Sequence, residues 1–150
     1  MKKSNGFKVP LQSQLGFLIK RVQQAFRARM DEALSKNGLT TSQYAVLCHL
    51  CEENLLSNAE LARRSFVTAP TMIRIVRDLE DLGFIEKTDS KAHRKVIDVA
   101  LTEKGGRVLL ACEMDVQSIQ LQMLSSFSKT EVAQLSRLLI SCAKNLEGAV

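Results

Sequence analysis

Read by the spacing of its apolar positions, the chain is a run of amphipathic helices interrupted once by a period of two. After a polar arm over residues 1–10, Leu15, Leu18, Ile19, Val22, Phe26, Met30 and Ala33 recur every three or four residues, with Lys20, Arg27 and Arg29 between them. That spacing predicts a helix from about Leu11. It stops at Asn37-Gly38, since glycine takes the left-handed conformation after a helix end. Thr40-Thr41-Ser42-Gln43 has the form of a capping box, in which side chains satisfy the free N–H groups of a helix start. The helix it opens is expected to bury Tyr44, Leu47, Cys48 and Cys51. A second box, Ser57-Asn58-Ala59-Glu60, opens a short helix with Leu61 and Ala62. Pro70 is tolerable in a first turn, and a helix is predicted from about Ala69 to Leu82. It buries Met72, Ile75 or Val76, Leu79 and Leu82, and Gly83 ends it.

Past Gly83 the period shortens to two. Phe84-Ile85-Glu86-Lys87 reads as a strand, residues 89–95 as a polar turn, and 96–101 as a second strand with Ile97, Val99 and Leu101 on one face. Helical spacing then returns twice: Val108, Cys112, Val116, Ile119 and Met123, and, after a third box at Ser128–Glu131, Val132, Leu135, Leu138, Leu139, Cys142 and Leu146. The order is four helices, a hairpin and two helices. The expected fold is mainly α with a small β-hairpin wing: a winged helix-turn-helix flanked by N- and C-terminal dimerisation helices. The divisions are 1–38 for an arm and dimerisation helix, 39–102 for the winged lobe, and 103–150 for further dimerisation helices. The terminal helices carry apolar stripes but little core within one chain, so pairing of two copies would bury the remainder.

Charge sharpens this picture. The 150 residues carry a formal charge of +5 and a pI near 9.2, which draws a protein toward polyanions because phosphate contacts release counterions. The second helix of a helix-turn-helix presents its N-terminal residues to base edges in the major groove. In helix 69–82, Thr68, Thr71, Arg74 and Arg77 gather toward the N-terminal half, and Asp78, Glu80 and Asp81 toward the C-terminal half. The helix dipole prefers the reverse, but a helix whose N-terminus faces a negative partner suits it. The hairpin tip gathers Lys91, His93, Arg94 and Lys95, and an arginine there can enter a minor groove. These eight residues are the candidate DNA contacts.

Several segments together resemble the MarR family of bacterial transcription regulators. They are Leu39 to Leu47, Asn58-Ala59-Glu60-Leu61-Ala62, Thr71 to Ile85, the wing close Val99 to Gly105, and Ser128-Lys129-Thr130-Glu131. The resemblance spans about residues 11–147. It implies a homodimer built from the first and last two helices, and a double-stranded, roughly palindromic site with half-sites ~10 bp apart. It also implies regulation, commonly repression, released by a small aromatic or anionic effector in a crevice between the dimer helices and the DNA lobe. Tyr44 and His49 would lie near that crevice; the plainer reading makes Tyr44 core and His49 surface. One departure is Ala92, which stands where the family's wing commonly has an Asp two residues before the wing arginine.

The remaining chemistry is sparse. Cys48-His49-Leu50-Cys51 has C-x-x-C spacing, but no βαβ setting for a redox motif surrounds it and no second ligand pair follows for zinc. The four cysteines, Cys48, Cys51, Cys112 and Cys142, read as small hydrophobes. The family's peroxide sensors resemble chains with a reactive Cys near the start of the first helix, and none lies there. No cofactor or metal is expected. With only two histidines, no triad arrangement and no glycine-rich phosphate loop, an enzyme is not expected. The alternative is a winged-helix module that binds protein and not specific DNA, a reading toward which Ile73 leans. No apolar run of signal-peptide type follows Lys2 and Lys3, so the expected location is the cytoplasm.

Overall fold

The computed structural model describes residues 10–89 and 97–148. A short 3-10 turn, Leu11–Ser13, precedes α1 (Leu15–Ser35), and α2 (Thr41–Glu52) follows. Next come β1 (Leu56–Ser57), α3 (Asn58–Arg64), α4 (Ala69–Asp81), β2 (Ile85–Asp89) and β3 (Ile97–Leu101). The described chain closes with α5 (Glu103–Met123) and α6 (Lys129–Glu147). It divides into two compact units, Met1–Val116 and Gln117–Val150. No helix among the described residues is long and apolar enough to cross a membrane.

The core of the first unit is Leu47 and Leu50 from α2, Leu61 from α3, Met72, Val76 and Leu79 from α4, and Val99 from β3, all essentially inaccessible to water. Burying side chains of this size is worth about 1.5–3 kcal/mol each. The capping signals are realised at both ends of the chain. Thr40 Oγ1 accepts from the Gln43 N–H at 3.2 Å, and the Gln43 side chain accepts from the Thr40 N–H at 2.9 Å. Ser128 and Glu131 reciprocate in the same way at the start of α6. Asp31 joins α1 to α2: its carboxylate accepts from Thr41 Oγ1 at 2.6 Å and from the Thr41 N–H at 2.9 Å. Those bonds, the hydroxyl one foremost, hold its pKa below the usual value.

Three helix ends share one hydrogen-bond pattern. Leu39 N–H reaches Leu34 O and Gly38 N–H reaches Ser35 O; Phe84 N–H reaches Leu79 O and Gly83 N–H reaches Glu80 O. These are Schellman closures, which need a left-handed residue at the turn, and Gly38 and Gly83 supply it with φ of 70° and 72°. The third closes α3, where Val67 N–H reaches Ala62 O and Phe66 N–H reaches Arg63 O. There the left-handed residue is Phe66, with φ 54°.

The structure departs from the sequence reading at several places. The hairpin is part of a three-stranded antiparallel sheet in the order β1-β3-β2, with Leu56 opposite Val99 and Ser57 opposite Asp98. Leu82 is exposed, because α4 has already reached its cap and turned at Gly83. Both Ile75 and Val76 are buried. Cys51 and Cys142 are exposed; only Cys112 is fully buried, with Cys48 half-buried. The predicted stripe of α1 is buried only at its C-terminal end, at Met30, Ala33 and Leu34. Leu15, Ile19 and Val22 face solvent, as do Leu138, Leu139 and Leu146 of α6, which buries no residue.

Candidate nucleic-acid interface

The helix-turn-helix is α3, its turn and α4. Ser57 Oγ caps α3 by accepting from the Glu60 N–H at 3.2 Å, but the box is only half made. The Glu60 carboxylate instead accepts from Arg63 at 3.2 and 2.5 Å and from Arg64 at 2.8 Å. Arg64 also reaches Glu53 at 2.6 Å. Hydrogen bonds from Arg63, then Arg64, depress the Glu60 carboxyl to about 2. The basic side chains of α3 are thus engaged within the lobe.

The helix α4 is set differently. Thr68 Oγ1 accepts from the Thr71 N–H at 3.4 Å and lies 2.9 Å from the Thr71 hydroxyl. Pro70 occupies the first turn, where it costs no helical hydrogen bond. The buried face Met72, Ile75, Val76 and Leu79 turns Ile73, Arg74 and Arg77 outward. Arg77 lies 3.8 Å from Asp78, and Glu80 pairs with Lys87 of β2, which ties α4 to the wing strands. Arg74 has no ion pair among the described residues. Of the residues singled out from sequence, Thr68, Thr71, Arg74 and Arg77 are therefore brought together on α4. Lys91, His93, Arg94 and Lys95 lie outside the described residues.

Thr102 and Lys104, where the wing passes into α5, also hold the end of α4. Thr102 donates its backbone N–H to Phe84 O at 3.0 Å and its hydroxyl to Gly83 O at 2.8 Å. It also accepts from the Gly105 N–H at 3.1 Å, capping α5. Lys104 Nζ bonds Leu82 O at 2.7 Å and stands 5.2 Å from the centre of the Phe84 ring. Gly105 passes so close to the Phe84 carbonyl that a Cβ there would lie 2.1 Å from its oxygen.

Behind this lobe a cavity of about 290 Å³ opens between α2 and α5, lined by Tyr44, Cys48, Cys51, Glu52, Leu109, Leu110 and Glu113. Tyr44 was singled out from sequence. His49, half-buried on the same helix, is not among the lining residues. Burial raises the Tyr44 hydroxyl above its ordinary pKa, and burial likewise raises the Cys48 thiol. That Glu52 and Glu113 line one cavity was missed, because they sit about sixty residues apart on elements whose meeting no local pattern announces.

The family model described as MarR family matches residues 37–95. The HTH-type transcriptional repressor Rv2887 of Mycobacterium tuberculosis is 30% identical over 125 residues, covering 83% of this chain and 90% of its own length. The chain belongs to the MarR family. Two solved structures superpose on nearly all of it. A mutant MarR from E. coli complexed with operator DNA gives a TM-score of 0.81 at 25% identity, covering 90% of this chain and 99% of that one. CouR from Rhodococcus jostii RHA1, bound to p-coumaroyl-CoA, gives 0.82 at 25% identity, covering 91% and 96%. As a MarR-family chain of winged helix-turn-helix fold, the protein is a transcription regulator, as its relatives are.

Proposed function

We propose that this MarR-family regulator is a homodimeric, cytoplasmic repressor. It binds a roughly palindromic double-stranded DNA site and is released by a small molecule held between α2 and α5. Residues 39–102 form the DNA-binding lobe, and 1–38 with 103–150 supply the dimer contacts. The carrying observation is Arg74: exposed, unpaired among the described residues, and on the N-terminal half of a helix that Thr68 caps. An arginine so placed is free to bond a guanine edge in the major groove. Thr68 and Thr71 flank it toward the phosphates, Arg77 adds charge, and Lys91, His93, Arg94 and Lys95 are assigned to the adjoining minor groove. The solvent-facing apolar stripes of α1 and α6 suit a second copy of the chain. In the cavity, Tyr44 is assigned to the effector. His49 is left without that role.

The test is binding to DNA from upstream of the protein's own gene, at two salt concentrations, with Arg74→Ala and Arg94→Ala beside the wild type. Loss of a bidentate base contact should cost about 1–3 kcal/mol and relax specificity at one position in Arg74→Ala. Arg94→Ala should weaken binding evenly across sequences and flatten the salt dependence. A wild type that binds all DNA weakly and with steep salt dependence would refute the repressor reading. It would favour a protein partner, toward which exposed Ile73 and Phe66 beside the same face point.

A further inference from the structure

The cavity between α2 and α5 has an unusual charge. Two of its seven lining residues are acids, Glu52 and Glu113, and none is Lys, Arg or His. Neither carboxylate has an ion pair among the described residues, although their neighbours do. Glu53 is held by Arg64, and Asp115 by Lys36 at 3.4 Å. Arg64 and Lys36 are thus engaged with other acids, and the cavity's two exposed carboxylates have no ion-pair partner among the described residues. The rest of the lining is an aromatic ring, two leucines and two thiols, one of them partly withdrawn from water. At about 290 Å³ the space sits at the small end for ligand sites and suits about one ring with a short chain.

We propose that the effector is a small aromatic monocation of the protonated-amine class, not the anion that the family resemblance implies. This rests on the reading of the cavity as an effector site. An ammonium group entering here meets two carboxylates and the face of Tyr44, and both attract a cation. A carboxylate entering the same space meets two like charges and no donor cation. The leucines and the tyrosine ring take the apolar body in either case. Charge therefore decides between ligands of equal shape.

The chain carries its own probe. Tyr44 is the single tyrosine in a sequence without tryptophan, so tyrosine emission reports the cavity alone. The experiment titrates the full chain with phenethylammonium and, separately, with 3-phenylpropionate, two molecules alike in shape and opposite in charge. Each is repeated on the double variant Glu52→Gln, Glu113→Gln, which keeps side-chain volume and removes both charges. Partly exposed charge pairs of this kind should favour the cation by about tenfold, and the double variant should erase that preference. Equal or tighter binding of 3-phenylpropionate by the wild type would overturn the proposal. So would a cation preference that survives in the double variant, or no response of Tyr44 to either probe at millimolar concentration. A wrong or surviving preference refutes the charge assignment alone, and silence toward both probes removes the cavity as an effector site; the titration contains no DNA, so the repressor reading is refuted only by the operator experiment.

Discussion

Replacing Phe66 by glycine should stabilise the protein, although it removes a large aromatic side chain. Phe66 holds φ at 54° in the same closure that glycine makes after α1 and α4. A side chain in the left-handed conformation costs about 1–2 kcal/mol. Glycine removes that cost but loses about 0.5–1 kcal/mol through the greater freedom of the unfolded chain. The usual penalty for deleting a phenylalanine is absent, because Phe66 is 89% exposed. The net is a gain of up to about 1.5 kcal/mol, or up to about 3–6 °C in Tm for a chain of this size. Phe66→Ala is the control: it deletes the ring but keeps the strained Cβ, so its Tm should stay close to wild type. The assay is thermal unfolding by circular dichroism at one fixed protein concentration, since dimerisation links Tm to concentration. A loss of more than about 1 kcal/mol in Phe66→Gly would refute the reasoning. It would mean that the ring packs against something its exposure does not reveal.

Two adjacent glycines at the start of α5 should behave oppositely. Gly105→Ala drives a Cβ into the Phe84 carbonyl and should cost about 1–3 kcal/mol as overpacking. Gly106→Ala meets open space and should gain up to about 1 kcal/mol of helix propensity; urea midpoints would decide both, and equal effects would sink the argument. Leu139→Glu on exposed α6 should weaken a symmetric dimer twice over, by about 3–6 kcal/mol in all. Sedimentation equilibrium would show it as a monomer, and a wild type already monomeric at micromolar concentration would refute the assigned interface. Asp31 and Glu60 both have folded pKa values below their ordinary 3.8 and 4.5. Their contribution to stability is therefore present above those values and lost as pH falls toward the depressed ones. Asp31→Asn and Glu60→Gln should each flatten the acid side of a stability-against-pH curve, and unchanged slopes in both would count against the bonds described.

What was legible in the sequence was local. Thr40–Gln43 and Ser128–Glu131 announced helix starts because both partners of each box lie within one turn. Gly38 and Gly83 announced helix ends because only a left-handed residue closes them easily. The exposed side of α4 could be read from Met72, Val76 and Leu79, since burying these turns Arg74 outward. What escaped notice depended on distance along the chain or on competition. β1 is two residues long and exists only because Val99, more than forty positions on, lies beside Leu56. Glu60 has the spacing of a capping residue, yet two arginines on its own helix outbid the backbone. Cys51 keeps helical register with Tyr44 and Leu47, but α2 is nearly finished there and the described elements leave it exposed. The wing residues assigned to DNA rest on sequence alone.

Ser57 belongs to two structures at once. It pairs with Asp98 across the sheet, and its hydroxyl caps the first helix of the reading head. The base of the wing and the start of that helix therefore share a hinge pin, and neither can be rebuilt without disturbing the other. A change at Ser57 would therefore register in the sheet and in the helix-turn-helix at once, so that the two are altered as one piece.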